Sequence, residues 1–230
     1  MSRLDQDQQK IRSALSIGMI ALAIIWLIEG FFWLSGAERG VWGVLPRTQE
    51  GLIGLLTAPL VHGDLGHIAS NSAPLVILLA ALWYLYREVA VPVTVFSYFT
   101  PSLWVWAMAR QNWHIGASGM IFALAFFLFF SGILRKEIRT MALSMIVAFL
   151  YGGMIWGVLP GEEGISWEGH LFGALTGLIL AIAFRKRGPQ KPDRWANETY
   201  RPEDEYGPWN YKALFPPPEG FQYPEEDSTD

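Results

Sequence analysis

Apolar residues in this chain gather into six blocks separated by polar connections. The blocks run roughly over 14–34, 67–86, 89–109, 117–134, 141–159 and 167–184. Most approach the ~20 residues a helix needs to cross a bilayer, and the last is short. Polar and apolar positions do not alternate within them, so the patterning of a membrane β-barrel is absent. Lipid offers the backbone no hydrogen bonds, and a helix satisfies its own. The pattern predicts an all-α polytopic membrane protein, a bundle of six transmembrane helices. Pro92 and Pro101 fall in the third block and are expected to bend it.

The connections carry the orientation. One side holds Arg3, Lys10, Arg12, Arg87, Arg135, Lys136, Arg139, Arg185, Lys186 and Arg187. The other holds Arg39, Arg47 and Arg110. Basic residues concentrate in cytoplasmic loops, so both termini are expected in the cytoplasm, as an even number of crossings requires. The first block is too long for a signal-peptide core and is followed by no evident cleavage site, so it is read as a retained helix. With no targeting segment, a prokaryotic plasma membrane is the expected location. The long external connection 35–66 is too apolar for disorder and is expected to rest at the membrane interface.

Composition adds three points. There is no cysteine, which excludes disulfides and thiolate metal sites. The net charge of −4 is unevenly spread, about +2 over residues 1–187 and −6 over 188–230, and neither part is basic enough to suggest nucleic acid. Eight of the 14 prolines lie beyond Arg187, among acidic residues and aromatics such as Trp195 and Tyr206. Three regions follow: a cytoplasmic segment 1–13, a membrane domain 14–187, and a proline-rich acidic tail 188–230 expected to be disordered.

All four histidines, His62, His67, His114 and His170, lie in or beside apolar blocks at their external ends. Ionisable groups at membrane depth are costly and often mark function. His170 opens the sixth block, and at 3.6 residues per turn it shares a face with Gly173 and Gly177. Those two glycines form a small-xxx-small step that admits another helix backbone. The bland reading is an interfacial histidine at a helix start. Ser118 opens the fourth block between Gly116 and Gly119. A serine there is ordinarily a helix cap, but flanking glycines permit a tight turn and close approach, and a helix N-terminus suits a developing oxyanion. His67 and Asn71, four apart, share a face of the second helix, and an interhelical hydrogen bond is their structural alternative. The three constellations begin even-numbered helices and so lie at similar depth. Together they supply a nucleophile, a base and oxyanion donors.

Gly116-Ala117-Ser118-Gly119, the pair His67 and Asn71, and His170 with Gly173 and Gly177 resemble the rhomboid family of intramembrane serine proteases, in the family's order. The resemblance covers about residues 14–184. It implies a six-helix core, a Ser118–His170 dyad, and an oxyanion hole from His67, Asn71 and the Ser118 N–H. Two positions depart from the family pattern. A Trp-Arg pair is often found in the first external loop, where this chain has Ile53-Gly54. A tyrosine often follows the serine by four residues and packs under the histidine; here it is Phe122. The expected partners are transmembrane protein substrates and the lipid bilayer. No cofactor, metal or nucleic acid is required. No acid is placed to orient His170, since Glu168 points elsewhere on the same helix. The alternatives are an inactive rhomboid-like protein that binds membrane proteins, a transporter or channel, and a membrane scaffold.

Overall fold

The computed structural model describes residues 3–135, 141–142, 145–146, 159 and 166–188. The acidic tail and most of the fifth apolar block lie outside the described residues. The described chain is helical: α1 (Arg3–Ser35), α2 (Gly54–Thr57), α3 (Leu65–Leu85), α4 (Ala90–Met108), α5 (Ser118–Arg135) and α6 (Trp167–Ala183). Three single 3-10 turns, Gly40–Trp42, Glu50–Leu52 and Ala58–Leu60, shape the connection from α1 to α3.

The starts of α3, α4, α5 and α6 fall within two residues of the expected ones. α1 does not: it begins eleven residues before the apolar block, at Arg3 rather than position 14. Residues such as Gln8, Gln9 and Lys10 are good helix formers, and Lys10 pairs with Asp7 at 3.7 Å one turn away. Hydropathy marks where a helix meets lipid, not where it starts. The expectation for Pro92 is also corrected. It occupies the first turn of α4, where a missing N–H costs nothing. Pro101 lies inside α4, and Pro74, not singled out above, lies inside α3.

α1, α3 and α5 are each long and apolar enough to cross a membrane, and α6 is a shorter apolar helix of 17 residues. The outer face of α1, including Leu27, Trp33 and Leu34, is exposed. That is the surface lipid would cover.

α6 packs against α5 along its glycine face. A Cβ on Gly173 would strike the Gly119 carbonyl, and one on Gly177 the Ala123 carbonyl and, at 2.7 Å, the Phe127 nitrogen. On the other side of α3, α1 approaches through Gly18, where a Cβ would lie 2.8 Å from the Val76 carbonyl oxygen. Trp26 there donates its indole N–H to Ser72 Oγ at 3.0 Å. Between these seams lies one apolar core, with Leu78, Leu82, Leu124 and Phe127 fully buried.

The end of the bundle opposite the histidines is tied by a buried cation. Arg135, the last residue of α5, donates to the carbonyls of Phe184 and Arg187, both at 2.6 Å. Its guanidinium also lies over the Tyr86 ring, 4.8 Å from the centroid. This places positive charge at the C-terminal end of α6, the favourable sign there.

Candidate active site

α5 starts where its sequence allows a tight turn. Gly116 takes φ +111°, a conformation open to glycine and strained for other residues. Its N–H donates to the Ala58 carbonyl at 2.8 Å. The next N–H, of Ala117, donates to Nε2 of the buried His62 at 3.4 Å. Ala117 then accepts the first helical bond, from Ile121 at 3.0 Å. Ser118 is therefore the first residue of α5, beside the N–H groups that a helix start leaves without intrahelical partners.

His170 reaches Ser118 from α6. Its Nε2 lies 2.9 Å from Ser118 Oγ. With the hydroxyl donating, Nε2 is the accepting nitrogen of a neutral imidazole, the arrangement a general base needs. The Phe122 ring stacks flat on the imidazole, at 4.3 Å between centroids and 8° between planes. Phe122 is one turn along α5 from Ser118 and is buried. Absence of a cavity-filling side chain at Gly119 and Gly173 lets the two helices come close enough for this contact. A Cβ on Gly173 would lie 2.9 Å from that of Phe122. Glu168 pairs with Arg110 at 3.1 Å, consistent with its pointing away from His170.

The oxyanion candidates come from α3. Asp64 caps this helix, accepting the His67 N–H at 2.8 Å. The His67 ring lies against the Gly116 turn, where a Cβ on Gly116 would be 2.7 Å from His67 Nε2. On its other side His67 Nδ1 faces the Gly63 N–H at 3.5 Å, which leaves the proton on Nε2, towards the turn. One helical turn further along, Asn71 is buried, and its Nδ2 has no hydrogen-bond partner among the described residues. An amide left so is poised to donate to something that arrives.

Two further histidines support these loops, and sequence reasoning assigned them no role. Burial, and then the neighbouring His67, push the His62 pKa down from 6.5 to about 4, so the ring is neutral and can accept. Burial also lowers that of His114. No local periodicity signals such loop contacts; the only sequence clue was that all four histidines cluster at one end.

The connection from α1 to α3 holds without a Trp-Arg pair. Arg47, at φ 58°, donates from Nη1 to the Ala109 carbonyl at 2.8 Å. Trp106 Nε1 donates to the Thr48 carbonyl at 2.9 Å, and Gln111 Nε2 to that of Pro46 at 2.8 Å. Gly54, at the position of departure, packs so closely on Gly43 that no larger side chain fits. Beside Ser118 the structure leaves a small cleft of about 330 Å³, counting its open mouth. Ser102, His114, Gly116, Ser118 and Ser166 contribute to its wall.

A family model described as the Rhomboid domain matches residues 49–187. An uncharacterized protein of Mycobacterium tuberculosis is 34% identical over 171 residues, 70% of each chain, and one of Mycobacterium bovis matches equally. An uncharacterized protein of Mycobacterium leprae is 32% identical over 170 residues, covering 70% of this chain and 67% of that protein.

Proposed function

The chain belongs to the rhomboid family of membrane proteins, and from that premise we propose that it is an intramembrane serine endopeptidase with Ser118 as nucleophile and His170 as general base. The observation that carries the reading is the 2.9 Å contact between His170 Nε2 and Ser118 Oγ at the start of two glycine-seamed helices. His67 and Asn71 are the side-chain donors of its oxyanion hole, and Gly116, Gly119, Phe122, Gly173 and Gly177 shape the site.

In the first step Ser118 Oγ attacks the carbonyl carbon of a scissile peptide while its proton passes to His170 Nε2. Charge develops on the carbonyl oxygen, and His67 Nε2–H, Asn71 Nδ2 and the backbone N–H of Ser118 are the donors for it. His170 then returns the proton to the departing amine as the C–N bond breaks, leaving an acyl-enzyme on Ser118. Water, deprotonated by His170, attacks the ester; the acid leaves and Ser118 recovers its proton. With Glu168 engaged by Arg110, the aromatic face of Phe122 orients the imidazole. The machinery is a dyad.

The substrates are transmembrane segments of other membrane proteins, cut near the external ends of their helices. A helix satisfies its own backbone bonds, so the cut site must unwind, and helix-breaking or small residues favour that. The chain sits in a prokaryotic plasma membrane with both termini cytoplasmic. Its parts are the segment 1–13, the membrane domain 14–187 and the tail 188–230.

A fluorophosphonate serine probe tests the assignment on the purified chain. Wild type is labelled, while Ser118→Ala is not and His170→Ala is labelled at a small fraction of the wild-type rate. Labelling that persists in Ser118→Ala removes the nucleophile from the scheme. A chain that labels nowhere and cleaves no helix-destabilised reporter belongs instead with the inactive rhomboid-like binding proteins.

A further inference from the structure

A second hydrogen-bonded serine–histidine pair lies beside the first. His114 Nδ1 is 2.7 Å from Ser166 Oγ. His114 stands four residues before Ser118, and Ser166 four residues before His170. The two pairs therefore join the same two chain segments, one step upstream of the proposed dyad and with the residue types exchanged.

The bonds around this second pair assign its protons. His114 Nε2 faces the Arg110 carbonyl at 3.1 Å, and a carbonyl can only accept. The ring is thus protonated on Nε2, and Nδ1 accepts the Ser166 hydroxyl proton. Ser166 Oγ in turn accepts the Gly169 N–H at 3.3 Å as the cap of α6. The Ser166 carbonyl accepts the N–H of His170 itself, also at 3.3 Å. Ser166 thus holds the first turn of α6 from both its side chain and its backbone.

The histidine end of the pair is fixed as well. His114 exchanges both backbone bonds with Val44, each at 2.9 Å, which ties it to the connection from α1 to α3. A second contact runs parallel to the first: Arg110 reaches the buried Glu168 at 3.1 Å. The short segment from Arg110 to His114 therefore grips the start of α6 at two points, and the same segment leads directly into the Ser118 turn.

We propose that His114 and Ser166 are a positioning pair that sets where α6 begins against the Ser118 turn, and through it the distance and angle between His170 and Ser118. This rests on the dyad reading above and adds residues that act through the placement of His170, from positions that also line the cleft beside Ser118. The glycine seam lets the helices approach but does not by itself fix their axial offset. A directional bond between the two loops does. Misplacing a reacting group by about 1 Å can cost roughly 100-fold in rate.

The test compares Ser166→Ala, Ser166→Thr and His114→Phe in the full chain, in detergent and in proteoliposomes. The readout is the fluorophosphonate labelling rate per folded molecule, with the folded fraction taken from thermal melts. His114→Phe keeps the Ser166 cap and removes the pair, together with the Nε2 bond to the Arg110 carbonyl within its own loop. It is expected to label about 10-fold slower or worse, as is Ser166→Ala, while Ser166→Thr, which keeps the hydroxyl, recovers most of the rate. For reporter cleavage the loss falls on kcat, with KM little changed. Wild-type labelling per folded molecule in His114→Phe overturns the proposal, even if Ser166→Ala is slow, because a cap alone would then suffice. So does a loss in either variant that tracks the folded fraction alone. Absence of Ser118-dependent labelling in wild type is a separate result, which defeats the dyad reading first.

Discussion

The imidazole of His170 and the phenyl ring of Phe122 lie face to face, 4.3 Å apart and 8° from parallel. A ring held flat on an apolar face cannot rotate about its outer bonds without losing that contact. Phe122→Leu keeps an apolar side chain but removes the flat face. Stacked aromatic pairs are worth about 0.5–1.5 kcal/mol beyond burial. Reporter cleavage is expected to slow by about 3- to 10-fold in kcat, with KM little changed. Steady-state kinetics on a transmembrane reporter checks it.

Asn71 offers a cleaner separation of rate from stability. Its Nδ2 has no partner among the described residues in the resting protein, so removing it breaks no existing bond there. Asn71→Ala is expected to lower kcat by roughly 100-fold or more, the usual cost of an oxyanion donor. The melting temperature should remain near wild type. A similar loss in stability with unchanged rate would assign Asn71 to packing instead.

Glycine substitutions should divide sharply by position. A Cβ on Gly173 or Gly177 meets backbone of α5, which cannot give way. Gly173→Ala and Gly177→Ala are expected to lower the melting temperature by several degrees and to slow Ser118 labelling. Gly116→Ala adds a strained φ and a clash with the His67 ring at 2.6 Å. Gly30→Ala in α1 is the control, with no atom within 4 Å of its Cβ position. It is expected to be neutral or to stabilise by up to about 1 kcal/mol. Thermal melts in one detergent compare all four.

His62 makes stability fall in mild acid. Its folded pKa of about 4 lies below the ordinary 6.5 because burial disfavours the cation. Between those values the unfolded chain binds a proton that the folded chain does not, so stability rises with pH. The contribution is fully present above about pH 6.5 and is lost progressively as pH falls towards 4. It amounts to about 3 kcal/mol over that window. His62→Gln should flatten this part of the stability–pH curve, measured by melts from pH 4 to 8. It should also slow labelling, because the Ala117 N–H loses its imidazole acceptor.

The helical frame was legible in the sequence because membrane helices announce themselves by apolar length. The starts of α3, α5 and α6 fell within two residues of expectation. The polar first turns of α1 were not legible, since Asp7 and Lys10 look the same in a solvated helix as in a loop. The proposed site residues were visible as types and spacings, and the structure brings Ser118, His170 and Phe122 into contact. What the sequence hid was how the loops are held. The bond from Ala117 to His62 spans 55 positions, and that between His114 and Ser166 spans 52. Arg47 likewise bonds Ala109 across 62 positions. Nothing periodic in a chain reports such pairings; they follow only once the helices have packed.

Arg135 has a consequence for how the bundle moves. It moors the far end of α6 to α5, while Ser118 and Ser166 engage the near end. A rod fastened at both tips to its neighbour cannot slide along it, and it cannot swing out like a door hung from one edge. If the proposed activity holds, the yielding that admits a polypeptide is expected along other seams of the bundle, with the α5–α6 pair as the fixed jamb.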